Sequence, residues 1–206
     1  MSPCFPHIDY LVPKRGLGAR ENRSLTCNWL RTEQPPEIAM NASLTNWLHD
    51  AETRLSSKGF TISQDVSFDG TCFQMVAHRS RIELTKFGNC ERFFVFANFD
   101  TLSEASLRQF AAKAFRYALA ARHVPLPRGL FEAVYCFPVA IVAVLDPAIA
   151  DSVRDKQPPK HWASAEIPAV YEHSTGKLYY FARTPLWGAA YYAGFRRQLR
   201  QFLEPH

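Results

Sequence analysis

The sequence has only five cysteines, and no two of them form a Cys-x-x-Cys pair. Their odd number and wide spacing exclude the dense, even-numbered disulfide framework of a small secreted protein. We therefore expect free thiols in a reducing compartment, which predicts a cytoplasmic protein.

Long apolar runs and a recognisable leader are also missing. The N-terminus shows no charged segment followed by an apolar one, so no signal peptide is predicted. The most apolar stretch, 131–145, is too short to cross a bilayer and contains Glu132 and Pro138. The sequence therefore predicts no membrane association, and this stretch is interpreted as a buried strand.

Motifs for nucleotide binding and nucleophilic catalysis do not occur. The chain has no G-x-G-x-x-G, no P-loop and no G-x-S-x-G. Cys4 and His7 have ligand-like spacing, but no second ligand pair lies within reach of them. The sequence thus predicts neither a cofactor nor a metal.

The composition is that of a globular protein with a mild basic excess. Hydrophobic residues make up 47% of the 206 residues and aromatic residues 14%, while the formal net charge is +5. Such a charge is compatible with weak nucleic-acid association but does not require it. The aromatic surplus favours surface contacts with partners, including a second copy of the chain in a homo-oligomer.

Residues 1–39 differ from the remainder. They contain five of the fourteen prolines and no sustained apolar period. We interpret them as an irregular N-terminal extension, which is either a genuine segment draped over the domain or the product of an over-long reading frame that should start at Met40.

Residues 40–206 are predicted to form a single α+β domain, with helices packed on the faces of a mixed central sheet. Caps, turn signals and apolar periodicity support this assignment. The predicted order is α-β-β-β-α-β-α-β-β-α: helix 44–58, strands 60–66, 72–84 and 92–99, helix 101–121, strand 131–145, helix 147–156, strands 167–171 and 177–182, and helix 185–203.

Several boundaries rest on specific residues. Ser43 is the expected N-cap of the first helix, and Thr101 is expected to open a capping box for the second. Asp69-Gly70 predicts a tight hairpin turn, and Asp146 followed by proline predicts a helix start. Stretch 157–165 is predicted to be a loop.

The first six predicted elements, over residues 44–145, resemble the core of the PD-(D/E)xK nuclease-like fold in their order. The resemblance implies an Asp at the end of one strand and Glu-x-Lys on the next, converging on a metal and a phosphate. Candidate residues are Asp69, Glu83, Lys86 and Asp100. Glu83 and Lys86 are three residues apart, which places them on opposite faces of a strand. This spacing favours a degenerate, inactive relative over an active metal-dependent nuclease.

A second candidate site lies in two loops. Lys160, His161 and Trp162 precede Glu166, and Trp187 lies in a later turn. His161 and Glu166 could form an acid/base pair. The alternative is that both tryptophans close the edge of the core while Lys160 faces water.

The last predicted helix carries a third candidate surface. Apolar residues Tyr191, Phe195, Leu199 and Phe202 share one face, and the opposite face carries Arg196, Arg197 and Arg200. These arginines could bind a phosphate backbone, or they could form a solvated cationic face near the helix C-terminus.

Three functions follow from these observations. The leading interpretation is a non-enzymatic binding or interaction protein, because every catalytic template is incomplete. The alternatives are a nuclease of the PD-(D/E)xK type, active or degenerate, and a small-molecule enzyme that uses His161 and Glu166. A close cluster of Asp69, Glu83 and Asp100 would favour the nuclease.

Overall fold

The computed structural model describes residues 38–83, 88–123, 132–184 and 189–205. Its elements follow in the order α1 (Ile38–Ser57), β1 (Thr61–Phe68), β2 (Thr71–Glu83), β3 (Gly88–Phe99), α2 (Glu104–Ala120), β4 (Glu132–Val142), α3 (Pro147–Asp155), β5 (Lys160–His161), β6 (Ser164–Glu166), β7 (Ala169–Glu172), β8 (Lys177–Tyr180) and α4 (Ala189–Leu203).

The strands form one mixed, eight-stranded sheet. Strands β1, β2 and β3 are consecutive antiparallel neighbours, and β4 joins β3 in parallel. The far side of β4 is shared: its first half pairs in parallel with β6, and its second half pairs in parallel with β7. Two short antiparallel hairpins, β5–β6 and β7–β8, therefore extend the sheet beyond β4.

Helices cover both faces of this sheet, which confirms the predicted α+β class. One apolar cluster contains side chains of α1 and α4, such as Leu55 and Leu199. The other contains side chains of α2 and α3, such as Phe110 and Ala150. We call these the α1/α4 face and the α2/α3 face. None of the helices among the described residues is long and apolar enough to cross a membrane.

Strand β4 is central, as its two-sided apolar pattern predicted. Ile141 belongs to the cluster on the α1/α4 face and Val142 to the cluster on the α2/α3 face, and each side chain is 1% exposed. Alternate residues of a strand point to opposite faces, so a strand covered on both sides is apolar at nearly every position.

Local signals account for two of the boundaries. Asp69 and Gly70 both have positive φ, 49° and 68°, and join Phe68 to its partner Thr71 by the tight turn that the sequence predicted. The Asp146 side chain accepts a hydrogen bond from Ala148 N, which makes Asp146 the N-cap of α3.

Two predicted helix starts were wrong. Ser43 is not an N-cap, because α1 already begins at Ile38 and no proline or glycine interrupts the chain between Pro36 and Ser43. The N-cap of α2 is Ser103 rather than Thr101, and it forms a reciprocal capping box with Ser106.

Two further sequence assignments have different outcomes: one is wrong, and one stays a prediction. Stretch 157–165 was predicted to be a loop but contains β5 and the start of β6, which are too short to show an apolar alternation. The predicted boundary between residues 39 and 40 falls inside α1, and residues 1–37 lie outside the described residues, so the extension stays a prediction.

Candidate functional site

The β5–β6 hairpin carries the most prominent group of polar and aromatic side chains. His161 and Ser164 are directly opposed across the hairpin, and Trp162 and Ala163 form its turn. Ala163 has a φ of 51°, which allows the chain to reverse within two residues. Because β6 pairs with β4, the rigid centre of the sheet positions this hairpin.

The structure brings His161 and Glu166 together. The Nε2 atom of His161 lies 3.2 Å from Oε2 of Glu166, and the two side chains are 29% and 5% exposed. The ring of Phe115, from α2, stacks on the imidazole at a centroid distance of 4.1 Å. A buried carboxylate and an aromatic ring thus fix the orientation of a half-exposed imidazole.

Burial determines the electrostatics of this pair. It raises the pKa of Glu166, and the hydrogen bond and charge of His161 offset only part of that rise. The adjacent Cys136 is fully buried, and burial and the Glu166 charge together raise the pKa of its thiol well above the usual value. Cys136 is therefore a protonated, inaccessible thiol and not a nucleophile.

Ser164 adds a hydroxyl to the same face of the sheet. It is the cross-strand partner of His161, and directly opposed residues of an antiparallel pair have Cβ atoms about 5 Å apart. Its Oγ atom is buried and has no hydrogen-bond partner among the described residues. A serine, a histidine and a glutamate therefore lie side by side on neighbouring strands.

Trp162 does not close the core edge, so that alternative was wrong for this residue. Its side chain is 82% exposed, because a two-residue turn projects it away from the sheet. Lys160 lies in β5, but its side chain is outside the described residues, as is the whole of Trp187.

Sequence reasoning missed a second buried cluster on the α2/α3 face. The carboxylate of Glu91 is fully buried and accepts hydrogen bonds from His78 and from Asn89, the latter at 2.8 Å. The imidazole of His78 stacks on Phe93, with centroids 4.3 Å apart. Burial acts to raise the pKa of Glu91, but the bonds from His78, Ser80 and Asn89 outweigh it and hold the pKa below its usual value.

Sequence reasoning also missed the ion pair of Arg122 with Glu132. Their side chains approach to 2.5 Å, and that of Glu132 is fully buried. Oε1 of Glu132 has no hydrogen-bond partner within the described part of the chain. Buried glutamates thus lie in β3, β4, β6 and β7, each beside a basic side chain. The only sequence signal for these buried side chains was a Glu in or next to a predicted apolar strand.

The proposed nuclease residues do not converge. Asp69 and Asp100 lie at the end of the sheet where β2 begins and β3 ends, and Asp69 forms an exposed ion pair with Arg116. Glu83 lies at the other end of β2, about 40 Å away for thirteen residues of strand. Lys86 lies outside the described residues.

Within the described ranges, no three His, Cys, Asp or Glu side chains lie close enough together to hold a metal ion.

Helix α4 presents its apolar face to the core, with one exception. Phe195, Leu199 and Phe202 are buried, whereas Tyr191, at the spacing that places it on the same face, is 54% exposed. Tyr191 lies in the first turn of the helix.

The three arginines of α4 do not act as one cluster. Arg196 donates to the carbonyl oxygen of Arg183 at 3.0 Å and to the hydroxyl of Thr184 at 3.1 Å, which ties α4 to the chain after β8. Arg197 and Arg200 are exposed. Arg196 thus has a structural role in the fold, and only the other two remain available to an anion.

Comparison of the chain with protein-family models, with curated proteins and with solved structures finds no match in any of the three.

Proposed function

We propose that this chain is a binding or interaction protein whose recognition element is the β5–β6 hairpin. The observation that carries this proposal is Trp162, whose indole is 82% exposed at the tip of the hairpin. A large aromatic surface left in water gains free energy when a partner covers it, and tryptophan is enriched among the residues that dominate binding energy.

Contacts with the sheet and with α2 fix the position of the hairpin that presents Trp162. His161 contacts the Glu166 carboxylate and the Phe115 ring, and β6 hydrogen-bonds to the central strand β4. A preorganised element loses less conformational entropy on binding than a flexible loop does. The partner that fits is a protein with an apolar pocket for the indole.

The compartment proposed for this interaction is the cytoplasm. Cys72, Cys90 and Cys136 carry free thiols, which supports a reducing environment.

Site-specific photo-crosslinking tests the proposal. A benzophenone amino acid in place of Trp162 should give a discrete adduct in cells, whereas the same residue in place of Val144 should not. Val144 is a matched control because it is 71% exposed outside the hairpin. An adduct formed by the purified chain alone would identify the partner as a second copy. Identical adducts from both positions, or none from position 162, would contradict the proposal.

A second candidate function is a small-molecule hydrolase that uses the other side of the hairpin. The observation in its favour is the Ser164, His161 and Glu166 set, in which a carboxylate orients an imidazole beside a buried hydroxyl. In this scheme the Ser164 side chain first rotates into hydrogen-bond reach of His161, which takes the hydroxyl proton as Oγ attacks an acyl carbon. The leaving group departs with that proton, and a water molecule, deprotonated by His161, then hydrolyses the acyl-serine and frees Ser164.

A fluorophosphonate probe distinguishes the two candidates. If the hydrolase proposal is correct, the probe should label Ser164 with loss of fluoride. Labelling should then disappear in Ser164→Ala and slow in His161→Ala, and Trp162→Ala should leave it unchanged. A protein that stays unlabelled after prolonged exposure would rule out an active Ser164.

A further inference from the structure

A groove of about 680 Å³ runs beside strand β8. It is lined by β8 and its flanking residues, by Arg154 of α3, and by Glu204 and Pro205 after α4. Within the described residues, β8 hydrogen-bonds only to β7, so one row of its backbone N–H and C=O groups faces the groove. Such an edge can accept a further strand.

The two walls of the groove differ in character. The register of β7 and β8 places Lys177 and Tyr179 on the α2/α3 face, where Arg154 also lies. Leu178 and Tyr180 point to the opposite face and pack against the cluster that contains α4. One wall is therefore cationic and the other largely apolar.

Charges around the groove are predominantly positive. Burial and the Glu204 charge raise the pKa of Tyr180, while Arg200 and Arg196 act in the opposite direction, so both arginines lie near this tyrosine. Arg154 and Lys177 line the groove against the one lining carboxylate, Glu204, and Arg200 and Arg196 only add positive charge near it.

The other acidic side chains nearby are already engaged. Glu172 is buried and accepts hydrogen bonds from Leu145 N, from the Thr175 hydroxyl and from the Tyr179 hydroxyl. Asp155 is paired with Arg183 at 2.9 Å. Asp155 is thus offset mainly by Arg183, whereas Glu172 keeps its charge opposite Lys177. A net positive charge remains on this wall because, within the described residues, Arg154 has no carboxylate of its own.

We propose that the groove binds an extended acidic peptide segment, which adds to the sheet as a strand along β8. Because side chains alternate along a strand, the acidic residues of the segment occur at every second position and face Arg154 and Lys177. The intervening residues are apolar and face Leu178 and Tyr180. This site lies on a different hairpin from Trp162 and does not depend on the function proposed above.

A second copy of the chain fits the groove less well than an acidic segment. Two β8 edges paired antiparallel about a twofold axis would keep equivalent faces on the same side of the joined sheet. Arg154 and Lys177 of both copies would then share one face, and like charges across such a pair are destabilising. A nucleic acid would meet the cationic wall but has no peptide backbone to pair with the strand edge.

Fluorescence polarisation with labelled peptides tests the proposal on the full chain. A peptide of about eight residues with alternating Glu and Val should bind about tenfold more tightly than an isomer with all its Glu residues in one block. Two further peptides carry N-methyl groups, one on every Glu amide and the other on every Val amide. Since only one of these sets faces β8, one methylated peptide should lose binding and the other should retain it.

Charge-reversed variants locate the site. Arg154→Glu combined with Lys177→Glu should weaken binding of the alternating peptide by about tenfold, and Arg154→Glu alone should give part of that loss. Glu204→Gln should strengthen binding. The matched control is Arg81→Glu, since Arg81 is exposed in β2, far from the groove. Melting temperatures measured for each variant separate loss of binding from loss of fold.

Three outcomes would overturn the proposal. In the first, both methylated peptides bind like their parent, which would mean that no backbone pairing occurs. In the second, the control variant weakens binding as much as the groove variants do. In the third, a single-stranded oligonucleotide of equal charge binds more tightly with the same dependence on Arg154 and Lys177, which would identify a nucleic-acid site.

Discussion

Ile141 and Val142 test whether β4 is the buried centre of the sheet. Both side chains are 1% exposed, and they lie in different apolar clusters. Ile141→Ala removes three carbon atoms, about 2.4 kcal/mol at about 0.8 kcal/mol for each. The residual cavity brings the expected loss to about 2–5 kcal/mol. Val142→Ala removes two carbon atoms, about 1.6 kcal/mol before the cavity is included.

Aspartate at either position should unfold the domain. An unpaired carboxylate within an apolar cluster costs several kcal/mol beyond the lost packing, and a domain of this kind has only about 5–15 kcal/mol of stability. Chemical denaturation followed by circular dichroism at neutral pH measures the loss. The matched controls are Ile82→Asp and Val144→Asp, at positions that are 73% and 71% exposed.

The controls should change the free energy of unfolding by no more than about 0.5 kcal/mol. If Ile141→Asp or Val142→Asp instead unfolds cooperatively within about 1 kcal/mol of its control, then β4 has an uncovered face and the packing described here is wrong.

The remaining predictions concern protonation, truncation and nuclease activity. Because the fold lowers the pKa of Glu91, the ionised Glu91 side chain contributes fully to stability above the usual carboxyl pKa, and this contribution is lost as the pH falls through the lowered value. Glu91→Gln should therefore be most destabilising at neutral pH. Denaturation at several pH values will measure this. The pH dependence has the opposite sign for Glu166, because its pKa is raised: protonated Glu166 favours the fold at low pH, and this effect is lost as the pH rises. The free energy of unfolding of Glu166→Gln should therefore increase relative to that of the parent protein as the pH rises. Equal pH dependence of the two proteins would contradict this. A variant that begins at Met40 should keep its melting temperature within a few degrees, since the described clusters draw on residues from 44 onward; a large drop would show that the preceding segment packs on the domain. The purified protein should not cleave DNA or RNA with divalent metals, whereas cleavage lost in both Glu83→Gln and Lys86→Ala would establish a nuclease.

In the candidate sites, contacts between residues close in sequence could be predicted, and contacts that depend on strand register could not. His161 and Glu166 were identified as polar residues in and just beyond a predicted loop. They are five residues apart, and a short hairpin is enough to bring them together. Glu91 and His78 are thirteen residues apart, and no local sequence pattern predicts that their side chains will be in contact. Their contact depends on the register of β2 against β3, which the packing of both faces sets as a whole.

Local chemistry in the sequence determined the class, the order of the elements other than β5 and β6, and the central position of β4. Turn residues such as Asp69-Gly70 and caps such as Asp146 act over a few residues, and a two-sided apolar strand can only be buried on both sides. The tertiary structure alone decided which glutamates are buried, that Trp162 faces solvent, and that β8 pairs on only one side within the described residues. These features depend on which distant strands are neighbours and on where coverage by the helices ends, and such long-range contacts leave no signature in any short stretch of sequence.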